Sequence, residues 1–179
     1  MQLSAQSINK LCATGVAVAG RLRDPETGLY IPMISPFEPT RQVLSGKSYG
    51  LSAASYDLRI AHDLSLDVAG LPGAFAMAHT LEDFAIPTNV SAQLCDKSTY
   101  ARMGVSCFNT FFDPGFIGNG TLELVNLSPN VIVIRSGDPI CQMIFNWLDE
   151  PTDRPYAGKY QNQPRRAVPA IFEGARTTV

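Results

Sequence analysis

Ser55-Tyr56-Asp57-Leu58-Arg59-Ile60-Ala61 alternates side-chain type along its length, the period-two pattern of a half-buried β-strand. Working outward, Leu71-Pro72-Gly73-Ala74-Phe75-Ala76-Met77-Ala78 reads as a turn entering a strand, and residues 90–94, 121–125, 131–134 and 142–147 read as further strands. Gly and Pro break the chain between these runs from Leu29 onward. Many short strands separated by turns indicate an all-β barrel or sandwich. Upstream, residues 3–11 form a short amphipathic helix, with Ser4 as N-cap and Ile8 and Leu11 on one face. Tyr100-Ala101-Arg102-Met103 supplies one helical turn. The expected fold class is therefore all-β dominated, with a short N-terminal helix and few short helical turns. With no repeat, linker or low-complexity segment, residues 1–179 read as a single domain.

The composition narrows the function. The chain has 179 residues, 45% hydrophobic and 17% charged, enough for one folded domain with a core. A formal net charge of −2 gives no bulk attraction to nucleic acid or to an anionic membrane, so neither is expected as a partner. A phosphate site must then be a local cluster of cations. Cys12, Cys95, Cys107 and Cys141 include no C-x-x-C pair, and the histidines are His62 and His79 alone. That pattern argues against zinc, as does the lack of the H-x-E and P-C-x-x-C signatures of zinc nucleobase deaminases. Met1-Gln2-Leu3-Ser4 lacks the basic start of a signal peptide, and no run is long and apolar enough to span a bilayer. A cytoplasmic protein with reduced, buried thiols is expected.

The stretch from Asp96 to Glu123 carries the chemistry. It opens with Asp96-Lys97-Ser98-Thr99-Tyr100-Ala101-Arg102-Met103-Gly104, passes through Asp113-Pro114-Gly115-Phe116, and reaches Thr121-Leu122-Glu123-Leu124. Cations beside hydroxyls suit a polyphosphate, although the same string also reads as a solvated polar turn; the Walker pattern is absent. Glu123, between two leucines, either faces solvent or lines a pocket, where burial would raise its pKa and fit it for proton transfer. Asp113 alone is an ordinary turn residue. The tail from Pro151, rich in Pro, Arg, Gln and Gly, is either a disordered end or a segment that closes over a ligand.

The ordered set of motifs is similar to the dCTP deaminase family of the dUTPase-like superfamily, over nearly the whole chain. Met-Gln-Leu-Ser at the start, Ser55-Tyr56-Asp57-Leu58-Arg59, Thr80-Leu81-Glu82, Ser98 with Ala101-Arg102 and Gly104, Asp113-Pro114-Gly115-Phe116, Thr121-Leu122-Glu123-Leu124, Arg154-Pro155-Tyr156 and Gly158-Lys159-Tyr160-Gln161-Asn162-Gln163 carry the resemblance. It implies a dUTPase-like, barrel or jelly-roll-like fold assembled as a homotrimer with sites between subunits. It implies hydrolytic deamination of dCTP to dUTP and ammonia, with Mg2+ on the triphosphate and no zinc. Glu123 would be the general base. Ser98 and Arg102 would hold phosphates, Lys97 would add charge, and Asp113 would contact the deoxyribose 3′-hydroxyl. Thr99, Tyr100, Ala101, Thr121 and Leu122 belong to the matched substrate-binding motifs. Tyr156, Lys159 and Gln163 would come from a closing tail at 151–179.

The chain departs from the family pattern at three places. Lys97 stands where the family has Arg, which removes the bidentate fork. Tyr100 replaces a small or aliphatic residue. Val105-Ser106-Cys107-Phe108-Asn109-Thr110-Phe111-Phe112 is shorter than the family segment, which carries a Thr-Ala pair before the Asp. That segment lies against the base, so a modified cytosine is a further candidate substrate. A dUTPase, a bifunctional enzyme forming dUMP from dCTP, and a non-catalytic nucleotide-binding trimer are the competing readings.

Overall fold

The computed structural model describes residues 1–16 and 29–172; the parts of the expected domain and tail at 17–28 and 173–179 lie outside the described residues. Helix α1 (Ala5–Ala13) follows Ser4, which holds the N-cap position with extended backbone but makes no side-chain capping bond. Its buried residues are Ile8 and Cys12, with Leu11 only partly buried. The i, i+4 pair thus sets the inward stripe, displaced from the i, i+3 pair read from the sequence.

The strands are β1 (Ile34–Ser35), β2 (Gln42–Leu44), β3 (Lys47–Leu51), β4 (Tyr56–Arg59), β5 (Leu64–Leu66), β6 (Phe75–Ala85), β7 (Val90–Asp96), β8 (Val105–Cys107), β9 (Phe111–Phe112), β10 (Ile117–Asn126), β11 (Ile132–Ile134) and β12 (Pro139–Trp147). One sheet has the order β1-β6-β10-β8, a second β2-β3-β4-β12-β7-β9, and β5 pairs with β11. The ladders between these strands are antiparallel. An isolated bridge from Ile60 to Thr80 ties the end of β4 to β6, drawing the two large sheets around one core. Leu58, Leu94, Met143 and Phe145 enter that core from one sheet, and Ala78, Phe84, Leu122 and Leu124 from the other. The expected helical turn falls at α2 (Ser98–Ala101), two residues earlier than read, with Lys97 rather than Thr99 as the extended residue before it.

Strand β4 corrects one expectation. Its alternation does not separate core from water, because side chains on both faces are covered: Tyr56, Asp57 and Leu58 are all buried and Arg59 is partly buried. Asp57 is only 4% exposed and takes the Lys97 ammonium at 2.5 Å. Arg59 reaches across to Glu82, which is fully buried, with Nε 2.7 Å from Oε1 and the Arg59 backbone N–H 3.0 Å from Oε2. The Arg59 guanidinium also lies over the Tyr49 ring at 4.8 Å. The polar face is thus an internal network of paired charges. Removing one partner leaves an uncompensated buried charge. Glu82→Ala is expected to destabilise the fold by about 3–5 kcal/mol. Urea midpoints at fixed protein concentration measure this, and a joint Arg59→Met, Glu82→Leu replacement is expected to recover most of the loss.

Candidate active site

Strand β10 builds the floor of the site. Leu122 and Leu124 are fully buried in the core, so Thr121, Glu123 and Val125 project from the opposite face and are half-buried there. The register with β6 slips between Asn119 and Thr121, a bulge in which Thr80 Oγ1 accepts the Gly120 N–H at 3.0 Å. The slip puts Asn119 and Gly120 both inside and sets the phase of the residues that follow.

Above that face lies a cavity of about 490 Å³. Phe75 and Met77 of β6 and Thr121 and Glu123 of β10 line one side. Thr110, Phe111, Phe112, Asp113 and Phe116 line another, and Tyr156, Tyr160, Gln163, Val168 and Ala170 contribute from the tail. Most of these groups are aromatic or aliphatic, so Glu123 sits in a largely apolar setting. Burial raises the Glu123 carboxyl above the ordinary glutamate range, while the Thr110 hydroxyl, 3.2 Å from Oε2, opposes that rise. Asp113 is exposed at the cavity edge, within the turn in which its carbonyl accepts the Phe116 N–H at 3.1 Å.

The tail is laid along β10 by a series of hydrogen bonds. Tyr156 N–H donates to Pro114 O at 2.8 Å, Gln161 bridges Gly115 O and the Ile117 N–H at 2.8 Å each, and Asn119 N–H donates to Gln163 O at 2.9 Å. The Gln163 amide donates to Thr121 Oγ1 at 2.5 Å, and the Val168 N–H reaches the same oxygen at 3.1 Å. Arg165 closes the row on Asp83 at 2.6 Å. Gly118, at φ +133°, is required here, since an added Cβ would stand 2.5 Å from the Gln163 nitrogen.

The residues expected from sequence therefore divide. Asp113, Thr121, Glu123, Tyr156 and Gln163 meet at the cavity. Leu122 turns into the core, and Lys159 is exposed with its ammonium 5.5 Å from the Tyr160 ring. Lys97 to Arg102 lie outside the cavity. Ser98, Thr99, Ala101 and Arg102 are exposed, whereas Lys97 is buried on Asp57, and Tyr100 is buried with its hydroxyl donating to Asp138 at 2.9 Å. Tyr100 thereby fills the core rather than the surface of the turn, which accounts for a large ring at that position. Thr110 and Tyr160 were missed as cavity residues. Tyr160 lay within a quoted motif, while Thr110 lay in the segment that departs from the family pattern. Among the described residues, no group of three or more His, Cys, Asp or Glu side chains converges as a metal centre would require, and no helix is long and apolar enough to cross a membrane.

An all-β domain with one half-buried carboxylate on the floor of an apolar cavity defines the class of site. The family model for dCTP deaminase-like domains matches residues 67–148. The dCTP deaminase of Campylobacter hominis is 35% identical over 170 residues, covering 79% of this chain and 90% of that protein. The dCTP deaminase of Gemmatimonas aurantiaca is 36% identical over 168 residues, covering 78% and 91%. Among solved structures, the 2′-deoxycytidine 5′-triphosphate deaminase of Agrobacterium tumefaciens aligns with a TM-score of 0.52 at 18% identity, over 82% of this chain and 48% of that one, a likeness of fold. The chain belongs to the dCTP deaminase family.

Proposed function

We propose that the protein hydrolyses dCTP to dUTP and ammonia, with Glu123 moving the protons. The observation that carries this reading is the placement of Glu123, half-buried on β10 with its carboxyl raised by burial and facing a cavity of nucleoside size. A water held by the carboxylate gives it one proton and attacks C4 of the base. Glu123 passes that proton to N3, which absorbs the electron pair displaced from the C4=N3 bond. The carboxylate then takes the proton of the new C4 hydroxyl and delivers it to the exocyclic amine. The C4–N bond breaks, ammonia leaves, and the uracil carbonyl forms. A carboxyl with a raised pKa suits both halves of this exchange.

In this proposal Ser98 and Arg102, which lie outside the Glu123 cavity in the same chain, serve the triphosphate in the site of a neighbouring subunit of a homotrimer. Lys97, whose ammonium is buried against Asp57, holds the start of their turn rather than adding free charge. Asp113 meets the 3′-hydroxyl, and Tyr156, Lys159 and Gln163 belong to a tail that closes over bound substrate and excludes water. Mg2+ would be carried by the triphosphate oxygens, where it offsets phosphate charge. Zinc is not invoked, because the chain lacks the ligand signatures of zinc deaminases. The proposed compartment is the cytoplasm.

Asp113 at the edge of the same cavity keeps a second reaction in view, cleavage of dUTP to dUMP and pyrophosphate. One assay decides between them: incubation with dCTP or dUTP and Mg2+, resolving dUTP, dUMP, ammonia and pyrophosphate. Ammonia and dUTP from dCTP are expected. No ammonia from dCTP or its 5-substituted forms would sink the deaminase reading, and pyrophosphate from either nucleotide would establish the second activity.

A further inference from the structure

We propose that Thr110 is a positioning residue for Glu123, its hydroxyl donating to the carboxylate and then turning to accept from the carboxylic acid. The inference rests on the reading of Glu123 as the proton carrier. Thr110 Oγ1 lies 3.2 Å from Glu123 Oε2 and 3.4 Å from the Phe108 carbonyl oxygen. A hydroxyl has one proton and two lone pairs, so it serves one of these oxygens as donor at a time and can accept as well. While Glu123 is ionised, the Thr110 proton points at Oε2. When Glu123 has taken a proton from water, the carboxylic O–H donates to Oγ1 and the Thr110 proton turns to Phe108 O. No bond of Thr110 breaks, and each return of the proton reverses the turn.

The frame for this exchange is fixed from two sides. The Phe108 N–H donates to Glu123 O at 2.9 Å, which ties the loop to β10. The Leu94 N–H donates to Thr110 O at 2.9 Å, which ties it to β7. Among the described residues, Thr110 supplies the side-chain hydrogen bond to the Glu123 carboxylate. β6 presents Phe75 and Met77 to the same space, and β8 continues into Phe108. The titratable groups sharing the cavity are Asp113 on the loop and Tyr156 and Tyr160 on the tail.

The test is a carbon-13 titration of the glutamate carboxyls in the full-length protein, run with the pH profile of kcat/KM. Thr110→Val keeps the shape and removes the donor. It is expected to raise the Glu123 midpoint, and the acid limb of kcat/KM with it, by about one pH unit. Thr110→Ser is expected to restore both. Thr110→Ala provides a second donor-free variant should Val disturb packing. An unmoved Glu123 midpoint in the donor-free variants overturns the proposal, as does a Ser variant that titrates like Val. The carboxyl titration needs no turnover, so an inactive wild-type protein would count against the deaminase reading while this result is read independently.

Discussion

Glu123→Gln is expected to lower kcat for dCTP deamination by at least about 10²–10⁴-fold while leaving the fold and its thermal midpoint unchanged. The amide occupies the space of the carboxylate and still accepts the Thr110 hydroxyl, so the cavity keeps its shape. What it loses is the capacity to take a proton from water and return it to N3 and the leaving amine. The wild-type pH profile carries the same signature. Burial raises the Glu123 carboxyl, so the ionised base is present above that raised pKa and is lost as pH falls through it. The acid limb of kcat/KM is therefore expected to lie above the ordinary glutamate value of about 4.3. A Gln variant retaining turnover within tenfold of wild type would remove Glu123 from the chemistry.

How much of this could be read from the chain follows from what periodicity encodes. The Thr121-Leu122-Glu123-Leu124 alternation was legible because β10 has one face on the core and one on a cavity, which is what period two reports. Alternation at Tyr56-Asp57-Leu58-Arg59 was equally visible but its meaning was not, since a pattern distinguishes two faces without saying what covers each. Asp57 and Arg59 are buried against Lys97 and Glu82, partners 40 and 23 residues away, and no local signal announces such pairs. The strands that escaped detection, such as β1 and β9, are two residues long and are held by their neighbours rather than by their own pattern. Strand β6 was read only at its start; it alternates on through Phe84, but its inward positions include the polar Thr80 and Glu82, which disguises the core face. Thr110 lay in the 105–112 segment expected against the base, but nothing singled it out there, because its contact with Glu123 exists only once Phe108 and Leu94 fix the loop.

Mixing two impaired variants is expected to restore activity. Glu123→Gln lacks the proton carrier, and Arg102→Ala is expected to lose about 10–100-fold in kcat/KM through a missing charged contact to phosphate. In one chain Arg102 is exposed on the turn after β7, while Glu123 looks into a cavity lined by β6, the 110–116 loop and the tail. If each site of a trimer takes Glu123 from one subunit and Arg102 from the next, a mixed trimer contains sites in which both residues are intact. Each trimer holding both variants then contains one such site, so about one third of the sites in mixed trimers regain the full set. Co-expression with two different affinity tags, followed by purification through both, supplies mixed trimers, and ammonia release from dCTP reads the outcome. Recovery toward that fraction requires the residues to act across an interface. If Glu123 and Arg102 served the same site from one chain, every site would lack one of them and mixing would restore nothing, so a flat result would overturn the shared-site arrangement without touching the role of either residue.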